Sequence, residues 1–147
     1  MEHDVGYILL VEDNQDDVEL ARLALQETGI SNPVVVASDG VEALDYLFAT
    51  GNHAGRDPSL MPRVVLLDIN LPKVNGLQVL ERLREHADTE FLPVVMLTSS
   101  DEQRDVLMSY RSGANSYVRK PMDFSQFVET VRQLGAYWLL LNVPVTE

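Results

Sequence analysis

Residues 64–76 read VVLLDINLPKVNG: four large apolar residues, then Asp68, then a loop that contains Pro72 and Gly76. An unbroken apolar run of this kind is typical of a parallel strand that is buried on both faces. We therefore predict a strand over Arg63–Asp68. The acidic residue at its carboxyl end is a first candidate for a functional site.

Four further segments have nearly continuous apolar character and are also predicted to be strands. They are Tyr7–Val11, Val34–Ala37, Pro93–Thr98 and Ser116–Arg119. The stretches between them have the spacing of amphipathic helices, as Val41, Leu44, Leu47 and Phe48 illustrate. Strands that alternate with helices in this way predict a doubly wound α/β fold around a parallel sheet.

Residues that favour helix ends mark the first and last of these helices. Asn14 or Asp16 can cap the first helix, and Gly29 can end it. Asp123 or Ser125 can cap the last one.

The stretch Thr50–Pro62 has the composition of a loop, with no helical period. It lies between the second helix and the third strand, hence at the amino-terminal edge of the sheet. Ligands of α/β folds usually bind at the opposite edge. We therefore expect an excursion over the surface.

Length and composition fit one folded domain. The chain has 147 residues, of which 46% are apolar and 23% are charged. We expect residues 1–147 to form a single domain with one hydrophobic core. Cysteine is absent, and His3, His53 and His86 do not have the spacing of metal ligands. Any bound metal must therefore use oxygen ligands.

The net charge of −12 opposes binding to nucleic acid, because Lys and Arg normally drive contact with the phosphate backbone. No apolar stretch approaches the ~20 residues that a membrane-spanning helix requires. The start of the chain lacks the basic region of a secretory signal. These features predict a cytoplasmic protein that neither binds DNA nor spans a membrane.

Polar residues stand at the carboxyl ends of four predicted strands. Glu12 and Asp13 follow the first strand, Asp68 ends the third, Thr98 ends the fourth, and Lys120 follows the fifth. In an open parallel sheet these ends line one crevice. We therefore expect the five side chains to converge on one site.

Three carboxylates at close range repel one another unless a cation joins them. Oxygen ligands suit a hard ion, so we expect Mg²⁺, with Mn²⁺ able to substitute. A carboxylate can also attack phosphorus and form an acyl phosphate when the charge on the transferred group is neutralised. Asp68 ends the central strand and is the predicted nucleophile, while Lys120 and the Thr98 hydroxyl supply neutralisation.

Each of these residues also has an ordinary explanation. Acidic residues after a strand often cap the next helix, an Asp at a strand end often forms a turn, and a Lys before Pro is usually a solvated charge. The argument for a site rests on their coincidence at one edge of the sheet.

The motifs that contain these residues resemble the receiver domains of bacterial response regulators. They are ILLVEDN at 8–14, VVLLDINLPKVNG at 64–76, VVMLTSS at 94–100 and GANSYVRKP at 113–121. The resemblance extends from Tyr7 to about Leu134. It implies a flavodoxin-like fold, with a five-stranded parallel sheet in the order 2-1-3-4-5 and five flanking helices.

The resemblance also implies a role for each site residue. Asp68 would be phosphorylated, and Glu12 and Asp13 would be the acidic pair, with Asp13 a direct Mg²⁺ ligand. Asn70 would bind the metal through its backbone carbonyl. Thr98 and Lys120 would contact the phosphoryl group, and Tyr117 would be the aromatic switch residue. The peptide bond between Lys120 and Pro121 would be cis.

Two features resemble stand-alone regulators that are paired with phytochrome-type histidine kinases: the Thr50–Pro62 stretch and the carboxyl-terminal AYWLLLNVPVTE. The expected donor is therefore a sensor histidine kinase such as a bacteriophytochrome. The last helix is expected to extend into a tail over residues 135–147. Its apolar run Tyr137–Leu141 predicts a homodimer through the last helix and the strand-five face, since one domain surface can cover only one stripe of a helix.

Two other classes of protein are alternatives to a receiver domain. A metal-dependent phosphatase with an aspartyl nucleophile would need a second acid two residues after Asp68, where this chain has Asn70. A flavin carrier of the same topology would need a phosphate-binding loop after the first strand, where this chain has acids. We therefore expect a protein that catalyses only its own phosphorylation and dephosphorylation and is otherwise not an enzyme.

Overall fold

The structure, a computed structural model, describes residues 6–145. Five parallel strands form one sheet in the order β2-β1-β3-β4-β5. The strands are β1 (Ile8–Val11), β2 (Val34–Ala37), β3 (Val64–Leu67), β4 (Val94–Thr98) and β5 (Ser116–Arg119). The helices are α1 (Gln15–Gln26), α2 (Gly40–Phe48), α3 (Gly76–Arg84), α4 (Gln103–Arg111) and α5 (Phe124–Ala136). The predicted fold class and strand order are confirmed.

The apolar runs become strands because both faces of the sheet are covered. Leu9 and Val11 of β1 point into a core shared with α2 and α3, whereas Ile8 and Leu10 point into a second core shared with α1 and α5. All four side chains are buried. Removing a large aliphatic side chain from water stabilises the fold by roughly 1.5–3 kcal/mol, so both faces need apolar residues.

The predicted helix ends are found in part. Asn14 caps α1 by accepting a hydrogen bond from the Asp17 N–H at 3.0 Å, and Asp123 caps α5 in the same way through Gln126. α1 ends at Gln26, and Gly29 follows with a φ of +77°. Glycine reaches this left-handed conformation without strain.

The Thr50–Pro62 excursion is mostly exposed and contains a short 3₁₀ helix, Gly51–His53. Arg56 anchors it to the domain. Its guanidinium lies 4.0 Å from the ring centre of Tyr46 and donates to the Tyr46 carbonyl at 2.8 Å and to the Tyr7 hydroxyl at 3.3 Å. The excursion is therefore fixed at the amino-terminal edge of the sheet.

Beyond α5 the chain continues as one π-helical segment, Tyr137–Leu141, closed by a hydrogen bond from the Asn142 N–H to the Tyr137 carbonyl at 2.7 Å. Leu139 is buried in the core beside α1 and α5, and Trp138 packs against that core. Tyr137, Leu140 and Leu141 remain exposed. The segment therefore packs on its own domain through Leu139 and Trp138 and leaves much of its apolar surface exposed.

The predicted cis peptide bond is wrong. The bond between Lys120 and Pro121 is trans, and no cis peptide bond occurs within residues 6–145. The trans form is the default even before proline, by about 0.5–1 kcal/mol. With this bond trans, the Lys120 N–H bonds the Thr98 carbonyl at 2.9 Å, so the chain needs no cis bond to bring Lys120 to the edge of the sheet.

Across the same described range, none of the helices has the length and apolar character that crossing a membrane requires.

Candidate functional site

The ends of β1 and β3 bring three carboxylates together. The strands pair with Val11 opposite Leu67, so the residues that follow them, Glu12 and Asp68, lie side by side. Each of Glu12, Asp13 and Asp68 offers an oxygen, and these oxygens all lie within 4.8 Å of one another. Glu12 and Asp68 are buried, whereas Asp13 is exposed.

Lys120 neutralises part of this charge. Its Nζ lies 2.5 Å from Glu12 Oε1 and 3.1 Å from Asp68 Oδ2. A third carboxylate, Asp17 Oδ2, lies 3.1 Å away on the other side. An ammonium group has three N–H donors, and each has a carboxylate partner here.

Burial and charge act in opposite directions on the two innermost groups. Burial raises the pKa of Glu12 above its ordinary value, although the hydrogen bond and charge of Lys120 oppose that shift. Burial alone would lower the pKa of Lys120, but the hydrogen bond with Glu12 and the charges of Asp68 and Glu12 outweigh it and raise that pKa. Lys120 therefore stays charged at physiological pH.

The loop after β3 closes around Asp68. The Asn70 N–H donates to Asp68 Oδ1 at 3.2 Å, which leaves Oδ2 facing Lys120. A Cβ on Gly76 would lie 2.1 Å from the Asp68 carbonyl oxygen, so only glycine fits at the start of α3. Asn70 stands beside the carboxylates, and its predicted role as a carbonyl ligand stays a prediction.

Thr98 and Tyr117 are connected through Ser100. Thr98 is buried at the end of β4, and its hydroxyl oxygen accepts from the Ser100 N–H at 3.4 Å. The Tyr117 hydroxyl donates to the Ser100 carbonyl at 3.0 Å. The Ser100 hydroxyl donates to Asp105 of α4 at 2.6 Å. These contacts connect Thr98, Tyr117 and α4 to one residue of the loop after β4.

Most of the predicted site residues converge as the sequence indicates. Glu12, Asp13, Asp68 and Lys120 form one cluster, and Thr98 is linked to it by the backbone hydrogen bond from Lys120. Glu12 also has a structural role at the start of α1. Its Oε2 accepts a hydrogen bond from the N–H of Asn14, the residue that caps the helix, at 3.1 Å.

Sequence reasoning missed the contact of Asp17 with Lys120. In the sequence Asp17 is one of several acids near the start of α1, and 103 positions separate it from Lys120. The one available signal was position: Asp17 stands in the first turn of α1, which follows directly on the strand end that carries Glu12 and Asp13.

The donor set fits a divalent hard cation. Carboxylate oxygens are the ligands that Mg²⁺ and Mn²⁺ prefer, and the cluster holds more negative charge than Lys120 alone can neutralise. Asp68 Oδ2 is at the same time a carboxylate oxygen close to an ammonium group, which could neutralise charge on a phosphoryl group that the carboxylate attacks.

The fold and these side chains together define a receiver domain, a module of two-component signalling. The family model described as "Response regulator receiver domain" matches residues 8–132, and the chain belongs to that family.

Several relatives resemble the chain over nearly its whole length. Response regulator Rcp1 of Synechocystis is 33% identical over 132 residues, which are 90% of this chain and 88% of Rcp1. The crystal structure of the Mn(2+)-bound form of Rcp1 has a TM-score of 0.88 and covers 96% of this chain and 99% of that chain.

Two solved structures of phytochrome-related regulators are also similar. The phosphorylated cyanobacterial phytochrome response regulator RcpA is 33% identical, with a TM-score of 0.89 and coverage of 96% of this chain and 99% of that chain. The bacteriophytochrome response regulator AtBRR is 49% identical, with a TM-score of 0.73 and coverage of 96% and 100%. The chain is therefore similar to stand-alone phytochrome response regulators.

Proposed function

We propose that the protein accepts a phosphoryl group on Asp68 from the phosphohistidine of a sensor histidine kinase. The observation that carries this proposal is the position of Asp68 Oδ2, 3.1 Å from Lys120 Nζ and within the group of three carboxylates. This oxygen attacks phosphorus, the P–N bond of the phosphohistidine breaks, and the imidazole leaves. Lys120 and the Thr98 hydroxyl bind the phosphoryl oxygens.

Glu12, Asp13, Asp68 and the Asn70 carbonyl would hold Mg²⁺, or Mn²⁺ in its place. The ion would supply positive charge to the transferring phosphoryl group. Support comes from the oxygen-only donor set and from the Mn(2+)-bound form of the similar regulator Rcp1. Water later attacks the acyl phosphate in the same site, so the protein turns over only its own modification.

Phosphorylation of Asp68 would change the shape of one face of the domain. Thr98 moves toward the phosphoryl group and loosens its contact with Ser100, whose carbonyl accepts from the Tyr117 hydroxyl. Tyr117 then changes rotamer and alters the face formed by α4, β5 and α5.

The proposed donor is a phytochrome-type kinase, and the proposed assembly is a homodimer through α5, the Tyr137–Leu141 segment and the β5 face. Support for the donor is the 49% identity to AtBRR, a bacteriophytochrome response regulator. We place the protein in the cytoplasm and expect no direct binding to nucleic acid or a membrane, because a net charge of −12 repels phosphate groups. A phosphotransfer profile against all histidine kinases of the source organism would identify the donor.

The acceptor is tested with small phosphodonors such as acetyl phosphate. Labelling should require Mg²⁺ or Mn²⁺ and should be lost in Asp68→Asn. Asp88→Asn, which changes the same charge at an exposed turn, should label like wild type. Unchanged labelling of Asp68→Asn would contradict the role of Asp68 as the phosphoacceptor. Labelling at full rate in excess chelator would contradict the requirement for a metal ion.

A further inference from the structure

Lys120 has three carboxylate partners, and they differ in what else they can bind. Glu12 and Asp68 belong to the group whose oxygens lie within 4.8 Å of one another, together with Asp13. Asp17 contacts Lys120 at 3.1 Å but is not in that group. The four acids therefore divide into three that can share a cation and one that faces only the ammonium group.

Asp17 is not needed as a helix cap. Asn14 fills that position, and its side chain accepts from the Asp17 N–H at 3.0 Å. The Asp17 side chain instead reaches across to Lys120, and 25% of it is exposed, compared with 10% for Lys120. Asp17 thus covers the solvent side of the ammonium group, while Glu12 and Asp68 cover its inner side.

A divalent ion would change this balance. Once Glu12 and Asp68 share their charge with a cation, they attract Lys120 less, and the cation itself repels the ammonium group. Asp17 then remains as the partner whose charge is committed to Lys120 alone. Without it, the ammonium group would be free to move into solvent at the moment when Asp68 needs it.

We propose that Asp17 is a positioning residue that keeps the Lys120 ammonium group beside Asp68 when a divalent ion occupies the carboxylate cluster. The importance of this contact for phosphoryl transfer rests on the proposed function, but the contact itself can be tested separately.

The first test follows Lys120 directly. Lys73 and Lys120 are the only two lysines of the chain, so lysine labelled with ¹³C at Cε gives two side-chain NMR signals. Mg²⁺ should shift the Lys120 signal in wild type only slightly. In Asp17→Asn it should move the Lys120 signal toward that of a solvated lysine, and Asp17→Glu should restore much of the wild-type response. Lys73 serves as the internal reference.

Asp16→Asn is the matched control, since Asp16 is exposed, stands in the same helical turn and carries the same charge. Its Lys120 signal should respond as in wild type. An equal response in Asp17→Asn and wild type would overturn the proposal, whether or not the protein can be phosphorylated.

The second test measures labelling by acetyl phosphate. Asp17→Asn should lower the maximal rate about three- to tenfold, as expected for loss of orientation rather than of a reacting group. The Mg²⁺ concentration for half-maximal labelling should stay within about twofold of wild type. A variant that loses Mg²⁺ affinity in proportion to its rate would make Asp17 a metal-binding residue and overturn the proposal. Failure of wild type to label would contradict the proposed function instead.

Discussion

Lys120 is the positive charge that the folded protein itself places among its buried acids. Its side chain is 10% exposed, and those of Glu12 and Asp68 are 3% and 8% exposed. Removing one partner of such a buried ion pair is costly because the remaining charges lose their compensation. The stability of the protein should therefore depend on Lys120 most strongly when no divalent ion is present.

We expect Lys120→Ala to fold but to lose about 3 kcal/mol of unfolding free energy in the absence of metal. Saturating Mg²⁺ should restore much of this loss, because the ion binds the native carboxylates and supplies the missing charge. Phosphorylation should stay impaired with Mg²⁺ present, since no ammonium group neutralises the transferred phosphoryl oxygens. Urea unfolding with and without Mg²⁺ measures the first two effects.

Lys73→Ala is the control for this experiment. Lys73 is mostly exposed and pairs with Asp39 at 3.4 Å. Its loss should change the unfolding free energy by less than about 0.5 kcal/mol. Equal stability of Lys120→Ala and wild type without metal would contradict the role assigned to Lys120.

At the scale of elements, two helices begin with glycine because the loop after β3 passes very close to them. A Cβ on Gly40 of α2 would lie 1.9 Å from the Val74 carbonyl oxygen. A Cβ on Gly76 of α3 would lie 2.1 Å from the Asp68 carbonyl oxygen. The loop that carries Asn70 is thus held between two helix starts, and this packing fixes the backbone of Asp68.

Gly76→Ala should therefore destabilise the protein, although alanine is the better helix former by about 1 kcal/mol. The overlap forces the Asp68 backbone to move, and we expect a net loss of about 1–3 kcal/mol in denaturant unfolding. Metal affinity, followed by Mn²⁺ titration, should fall as well. Gly55→Ala, where a Cβ would meet nothing within 4 Å, should change stability by less than about 0.5 kcal/mol. If both variants unfold at the same urea concentration, the close approach at Gly76 has no energetic role.

At the scale of the whole molecule, the strands and the edge that carries the site could be predicted from the sequence. Each predicted strand agrees with the observed one to within one residue at either end, as for Arg63–Asp68 against Val64–Leu67. Burial on both faces leaves a continuous apolar run, which is a local signal. The convergence of Glu12, Asp68 and Lys120 follows from topology alone, because parallel strands share their carboxyl edge.

Two contacts between side chains that are distant in the sequence could not be predicted from the sequence. The Arg56 anchor joins the excursion to Tyr46 and Tyr7, whose hydroxyls are themselves bonded at 2.8 Å. The contact between Asp17 and Lys120 crosses from α1 to the loop after β5. Neither arrangement leaves a periodic pattern, because each is set by tertiary packing.

For the Tyr137–Leu141 segment, the sequence predicted the exposure of its side chains and also a dimer. The expectation that one surface covers only part of Tyr137–Leu141 is confirmed, because Leu139 is 3% exposed while Leu140 and Leu141 are 55% and 71% exposed. The dimer expected from this pattern stays a prediction. Covering the two exposed leucines in a partner would contribute roughly 3–6 kcal/mol before the cost of association. Contacts along α5 and β5 would have to supply the remainder.

We expect the intact chain to sediment as a dimer at micromolar concentration and the double variant Leu140→Glu, Leu141→Glu to sediment as a monomer. Leu139 stays in place in this variant, so the variant should still unfold cooperatively in urea. Leu60→Glu, at a leucine that is 56% exposed on the excursion, should leave the dimer intact. A monomeric wild type would refute the assembly, and a variant that still dimerises would move the interface away from the tail.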